Sequence, residues 1–293
     1  MTGMRVTTRS STTATMRGLD TSLTRVQRLQ NQLSSGRHVE RPSDDPAATV
    51  SSMKLRSQKR ADEQYLRNID DARGRLSLAD DAMTALSGQI RRAQELLTNS
   101  RDAALSGDSR AAISAELVEI RKAMIDTYNA RWIDRPVFGG TVPGPYAVDP
   151  ETGDYQGNDA AIVARVSRDV TMRIDVKGTD AAADVLPGII ERAAQDVAND
   201  DMSSVADDQQ ELADALSLVL RALGDVGARA AQLETTEQSV DSERLDFTSR
   251  ISANEDVDLP YAIMNLQTAQ IAYQASLGAA AKVMQTSLLD FLR

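Results

Sequence analysis

Residues 65–97 read YLRNIDDARGRLSLADDAMTALSGQIRRAQELL. Steps of four and three from Tyr65 land on Ile69, Ala72, Leu76, Ala79, Met83, Leu86, Ile90, Ala93 and Leu97, all apolar, while the residues between are mostly Asp, Arg, Ser, Gln and Thr. A 3.5-residue period sustained this long marks a coiled-coil helix rather than a short amphipathic one. At ~1.5 Å per residue the stretch alone would make a rod of about 50 Å. A long helix with one apolar stripe cannot bury it alone, so partners are required.

The prolines map where such helices can run. They stand at 42, 46, 136, 143, 145, 150, 187 and 260, leaving 47–135 and 188–259 free, and proline is strongly disfavoured in helix interiors. The first gap predicts a helix over about 47–104. A second follows over 109–130, with a cap at Asp108 or Ser109 and a seam of Ile113, Leu117, Ile120, Met124 and Tyr128. The second gap predicts a helix over about 205–250. Its seam runs Leu212, Leu216, Val219, Leu223, Val226, Ala230, Leu233, Glu237, Val240, Arg244, Phe247 and Ile251, apolar except at Glu237 and Arg244. Together these three helices predict one bundle.

Between the gaps the period falls to two. Val170, Met172, Ile174 and Val176 alternate with Thr171, Arg173, Asp175 and Lys177, and Ile162, Ala164 and Val166 alternate more weakly ahead of the turn-forming SRD. That predicts a β-hairpin within a small β-rich domain over 136–188. The termini mirror each other. Met16, Leu19, Leu23, Val26, Leu29 and Leu33 line a helix that SSG closes, with Gly36 as its C-terminal cap. From Leu259 the steps reach Ile263, Leu266, Gln270, Tyr273, Leu277, Ala280, Met284, Ser287 and Phe291. Leaving such an apolar tail exposed is unfavourable, so it implies a partner. The expected assembly surface is Leu19, Leu23, Val26, Leu29, Leu33, Leu259, Ile263, Leu266, Tyr273, Leu277, Met284, Leu288 and Phe291.

The break at 33–56, LSSGRHVERPSDDPAATVSSMKLR, then reads as a hinge between helical layers, carried by Gly36, Pro42, Asp44, Asp45 and Pro46, with Pro260 on the return. Asp44 or Asp45 would cap the next helix, with Pro46 in its first turn. The expected fold is mainly α: a long antiparallel coiled-coil bundle, paired terminal helices and a small inserted β-rich domain. The expected domains are 1–43 with 252–293, 44–135 with 189–251, and 136–188.

Composition removes most chemistry. A net charge of −10 argues against nucleic acid. No run of 18 apolar residues offers a membrane span, and the N-terminus lacks the apolar stretch of a cleavable secretory signal. There is no cysteine and one histidine, His38, among loop charges. That excludes disulfides, cysteine-held metals and a thiol nucleophile, and argues against a Ser/His/Asp triad. GGTVPG at 139–144 lacks the Lys-Ser/Thr of a phosphate loop, and DPETGDYQGND at 149–159 lacks calcium-loop spacing. The expectation is a structural protein, with no enzyme activity, cofactor or metal.

Two stretches, QNQLSSGRHVERPSDDPAA at 30–48 and LQTAQIAYQASLGAAAKVMQTSLLDFLR at 266–293, resemble the bacterial flagellin family. RPSDDP, VFGGT at 137–141 with YQGND beyond it, and the ending SLLDFLR are most similar to its hook-associated protein 3 type. NARWIDRPVFGGT departs from the usual smoother run into the phenylalanine. The resemblance implies export through the flagellar type III channel and termini that order on assembly. It also implies an adaptor ring at the hook–filament junction of a secreted flagellum. The implied partners are other copies of the chain, flagellin, the other junction protein and an export chaperone, with no nucleic acid or membrane. Two further readings stand beside it, a filament-forming flagellin and a cytoplasmic coiled-coil binding module.

Overall fold

The computed structural model describes residues 3–39, 41–102 and 106–291, with side chains for 13–39, 41–102 and 106–282. Described in chain order are α1 (Gly3–Ser35), α2 (Pro46–Ser100), α3 (Gly107–Tyr128), β1 (Arg131–Trp132), β2 (Arg135–Pro136), β3 (Val163–Arg165), β4 (Thr171–Arg173), α4 (Leu186–Ala198), α5 (Met202–Glu255) and α6 (Leu259–Phe291). The fold is mainly α with two small antiparallel strand pairs. Packing divides it into two compact units, 61–243 and 1–60 with 244–293. Residues 136–188 lie in the unit 61–243, and the boundaries between the two units fall within α2 and α5.

In the unit 61–243 the α2 stripe is the core. Ile69, Ala72, Leu76, Ala79, Met83, Leu86, Ile90, Ala93 and Leu97 are buried, with Tyr65 half-buried at the edge. Leu117, Met124 and Tyr128 of α3 and Leu212, Val219, Val226, Leu233 and Val240 of α5 are also buried. Both helices run antiparallel to α2. Arg92 reaches Glu116 on α3 at 2.8 Å, Gln209 Nε2 on α5 donates to Thr98 Oγ1 at 2.7 Å, and Arg73 pairs with Glu237, an exception in the α5 seam.

Several local expectations shift. α2 ends at Ser100 rather than near 104, where 103–105 lie outside the described residues. The α3 cap is Ser106, whose hydroxyl accepts from the Ser109 N–H at 3.2 Å, because the helix starts at Gly107 rather than at 109. The period-two stretch does form a hairpin, with Ala164 opposite Met172, but only three pairs are in register. Met172, Ile174 and Val176 are buried as the alternation requires. Asp175, assigned to the outer face, is fully buried too, where both of its carboxylate oxygens take bonds from Arg173 at 2.8 Å and one also accepts from the Ile162 N–H.

The 13-residue α4 was not anticipated as an element. Pro187 starts it, and Leu186, Ile189, Ile190, Ala193, Ala194 and Val197 turn inward. It runs antiparallel to α3, where Ser114 Oγ donates to the Ala194 carbonyl at 2.7 Å and Arg121 Nε to the Pro187 carbonyl at 3.3 Å.

Where α4 turns into α5, Asp208 is only 4% exposed. Burial, and secondarily the Asp196 carboxylate, raise its pKa to about 6, against an opposing pull from Arg192 at 3.7 Å. Because the folded-state value lies above the unfolded one, the folded chain holds this proton more tightly. The associated stabilisation is complete only below the ordinary value of 3.8 and is lost as pH rises from there through about 6. Asp208→Asn should therefore stabilise the protein at pH 7 by on the order of 2 kcal/mol and flatten the pH dependence of its unfolding midpoint between about pH 4 and 6. Urea titrations of both proteins at several pH values measure this; an Asn variant less stable at pH 7 would show the assignment wrong.

Candidate assembly surface

In the unit formed by 1–60 and 244–293, α1 packs antiparallel on α6. On α1, Val26 is buried and Leu19, Leu23, Leu29 and Leu33 are half-buried, so the α1 row expected at an interface is used within the chain. On α6 the inward row is Ala262, Leu266, Ala269, Tyr273, Ser276 and Ala280, again with four–three spacing. Three of the positions expected there point elsewhere: Leu259, Ile263 and Leu277 are exposed at 50%, 47% and 43%. Tyr261, Met264 and Ile271 are exposed as well. α6 therefore carries two apolar faces, one spent on α1 and one open. The side chains of Met284, Leu288 and Phe291 lie outside the described residues.

The break at 36–46 is tied down by backbone bonds. Gly36 ends α1 at φ +71, a left-handed conformation that disfavours any residue with a Cβ. Arg37 then pairs antiparallel with Asp256, the His38 N–H donates to the Glu255 carbonyl at 2.6 Å, and the Val257 N–H donates to the Gly36 carbonyl at 3.0 Å. Gln32 Nε2 closes over the loop onto the His38 carbonyl at 2.9 Å, and His38 itself is exposed. Pro42 starts a turn in which Asp44 Oδ2 accepts from the Arg41 N–H at 2.9 Å. The cap of α2 is Asp45, whose Oδ1 accepts from the Ala48 N–H at 2.9 Å, and Pro46 is the first helical residue. On the return, Asp258 Oδ1 accepts from the Tyr261 N–H at 3.1 Å, so Pro260 sits in the capped first turn of α6. Side chains repeat the tie: Arg56 pairs with the nearly buried Glu255, and Asn254 Nδ2 donates to Ser51 Oγ at 3.3 Å. All the expected hinge residues are thus helix caps or turn formers, and the segment between them is bonded on both sides.

Among the described residues no group of three or more His, Cys, Asp or Glu is placed to hold a metal ion, and no helix is long and apolar enough to cross a membrane.

Residues 6–131 match the model of the bacterial flagellin N-terminal helical region. Among curated relatives, the flagellar hook-associated protein 3 of Salmonella typhimurium is 28% identical over 60% of this chain; that match spans only 56% of the relative. The hook-associated protein 3 of Escherichia coli is 24% identical over 98% of this chain and 99% of its own, and a Bacillus subtilis flagellin is 26% identical over 99% and 100%. Among solved structures, a flagellar hook-associated protein of Vibrio parahaemolyticus superposes with a TM-score of 0.68 at 19% identity, covering 73% of this chain and all of that one. At that identity the likeness shows a common fold.

Gly36 is the position where substitution acts most directly on the closure. Gly36→Ala meets no neighbouring atom, so its effect is conformational alone. It should lower stability by about 1 kcal/mol, seen as an earlier first transition in urea, whereas Gly18→Ala inside α1 should raise it. Equal effects of the two would discard the left-handed cap.

Proposed function

We propose that this protein is a structural component of the bacterial flagellum, an adaptor at the hook–filament junction, with no enzyme activity of its own. The observation that carries the reading is the second apolar face of α6, left open while the first is used on α1, in a chain similar to one hook-associated protein 3 along nearly its whole length. Each large apolar side chain moved from water into a neighbouring subunit contributes about 1.5–3 kcal/mol. A row from Leu259 through Ile263 and Ile271 to Leu277 would give each added subunit a substantial hold.

On this reading the partners are further copies of the chain, flagellin on one side and the other junction protein on the other, reached by flagellar export with a dedicated chaperone. Leu19 to Leu33 and Leu266 and Tyr273 set the α1–α6 pair, and Leu259, Ile263 and Leu277 meet neighbours. Met284, Leu288 and Phe291 would continue that contact, and the bonded segment from Gly36 to Pro46 with Pro260 would fix how the pair leaves α2. A filament-forming flagellin is the second reading, favoured by the full-length match to one. A cytoplasmic coiled-coil module has no use for the strand pairs.

Seeded assembly separates these. Purified protein added to hook or filament fragments should form a short cap of about one ring by electron microscopy. Growth over many layers would establish the filament reading instead, and no attachment would remove the flagellar one. Leu277→Asp or Ile271→Asp should leave the unfolding midpoint and far-ultraviolet dichroism unchanged, because both side chains are exposed, yet abolish attachment. Undiminished attachment of both variants would show that the open face is not the interface.

A further inference from the structure

The β1–β2 hairpin closes on α2 beside a buried cation. The Trp132 indole lies so close over Gly74 of α2 that a Cβ there would stand 2.2 Å from it, and its Nε1 donates to Asp71 at 3.0 Å. The next residue of α2, Arg75, is only 5% exposed. Its Nε and Nη2 are both buried, and neither has a hydrogen-bond partner. Buried charges in folded proteins are ordinarily paired and hydrogen-bonded, so this one requires an explanation.

Arg173 shows what such a group does when it is satisfied. Its Nε and Nη2, the two N–H groups on one side of the guanidinium, donate to the two oxygens of Asp175, each at 2.8 Å. That fork matches the paired oxygens of a carboxylate or another oxoanion. In Arg75 the same fork is free, and the acids that act on it are engaged elsewhere. Both oxygens of Asp175 are held by Arg173, and one also accepts from the Ile162 N–H at 2.9 Å. Asp71, one turn back on α2, accepts from Trp132. Burial pushes the Arg75 pKa down, the charges of Asp175 and Asp71 act against this, and the like charge of Arg135 on β2 adds to it. Arg229 of α5 adds a further cation beside Asp175, donating to its carbonyl at 2.9 Å.

We propose that Arg75 and Arg135 hold a small oxoanion, of the carboxylate, phosphate or sulfate class, that bridges α2 to the β1–β2 hairpin, with Nε and Nη2 of Arg75 as its fork. The slight exposure of Arg75 limits the occupant to an ion of a few atoms. One such ion pairs the buried fork and offsets the repulsion between the two arginines. It therefore ties the hairpin to α2 more firmly than the Trp132 contact does by itself. The site lies within the unit 61–243 and does not rest on the flagellar reading.

Trp132 is the one tryptophan of the chain, so its fluorescence reports on the site directly. The full chain is titrated with formate, phosphate or sulfate exchanged for chloride at constant ionic strength, since chloride offers a single atom to a two-pronged fork. At least one of the three should give a saturable change in Trp132 fluorescence and a thermal midpoint that climbs as one-site binding requires. The anion that saturates at the lowest concentration assigns the class. Arg75→Lys keeps the charge without the fork and should weaken the apparent affinity at least about tenfold, the worth of one charge-assisted hydrogen bond. Arg75→Met removes the buried charge, so it should melt higher than the wild type without oxoanion and show no saturable response to it. Arg135→Gln alters an exposed side chain; it should weaken binding severalfold and carries the test if the Arg75 variants do not fold. Equal responses from the wild type and either Arg75→Lys or Arg135→Gln would mark a general salt effect and overturn the site. The absence of a saturable response to all three anions would overturn it as well.

Discussion

The apolar stripe that runs along α2 from Tyr65 to Leu97 has to be covered on that side, and much of the structure follows from how this is done. Over 61–243 the cover is α3 and α5, laid antiparallel and pinned by Arg92–Glu116 and Arg73–Glu237. α3 is too short to reach far, and it needs its own cover, which α4 provides. The strand pairs fit the same logic. β1–β2 sets Trp132 onto α2, while Met172, Ile174 and Val176 near β4 close another part of the core. Tyr128 ties the end of α3 into this region, its hydroxyl bonded to the Ala181 carbonyl at 2.6 Å and its ring edge-on to Phe138 at 5.6 Å.

The other unit is organised by backbone rather than by volume. Between Gly36 and His38 the chain makes two strand-like bonds to 255–257, and these hold the end of α1 against the start of α6. Aspartates do the rest: Asp44 in the turn, Asp45 at the head of α2, Asp258 at the head of α6. Carboxylates at helix N-termini satisfy amides that have no intrahelical partner and sit favourably in the helix dipole. Acidic character here is partly a set of local fastenings.

The sustained seams were legible in the sequence because burial on one side of a long helix forces a period that chance does not mimic. That is why nine of ten positions from Tyr65 to Leu97 are buried as read. The row on α6 was only half legible. Two apolar frames overlap there, sharing Leu266, Tyr273 and Ala280, and a reading started at Leu259 follows the larger residues onto the open face. The contact with α1 instead selects the frame with the small ones, Ala262 and Ala269, which allow close approach. Other features left weaker marks. α4 spans too few turns for a long period to emerge, and Asp175 breaks the alternation because Arg173 neutralises it where it lies. Asp208 looks like any surface acid until α4 folds over it. The meeting of Trp132 with Gly74 joins residues far apart in the chain and has no local signature at all.

The alanines at that contact have a mechanical consequence. Alanines take three of the six places in the α6 row, so per turn it removes less surface from water than the Leu, Ile and Met seam of α2. Tension applied at either terminus would meet that contact first and peel it turn by turn at low force, before load reached the interior of 61–243. The same thin grip lets the ends be re-laid against something that offers larger side chains, without first dismantling the rest.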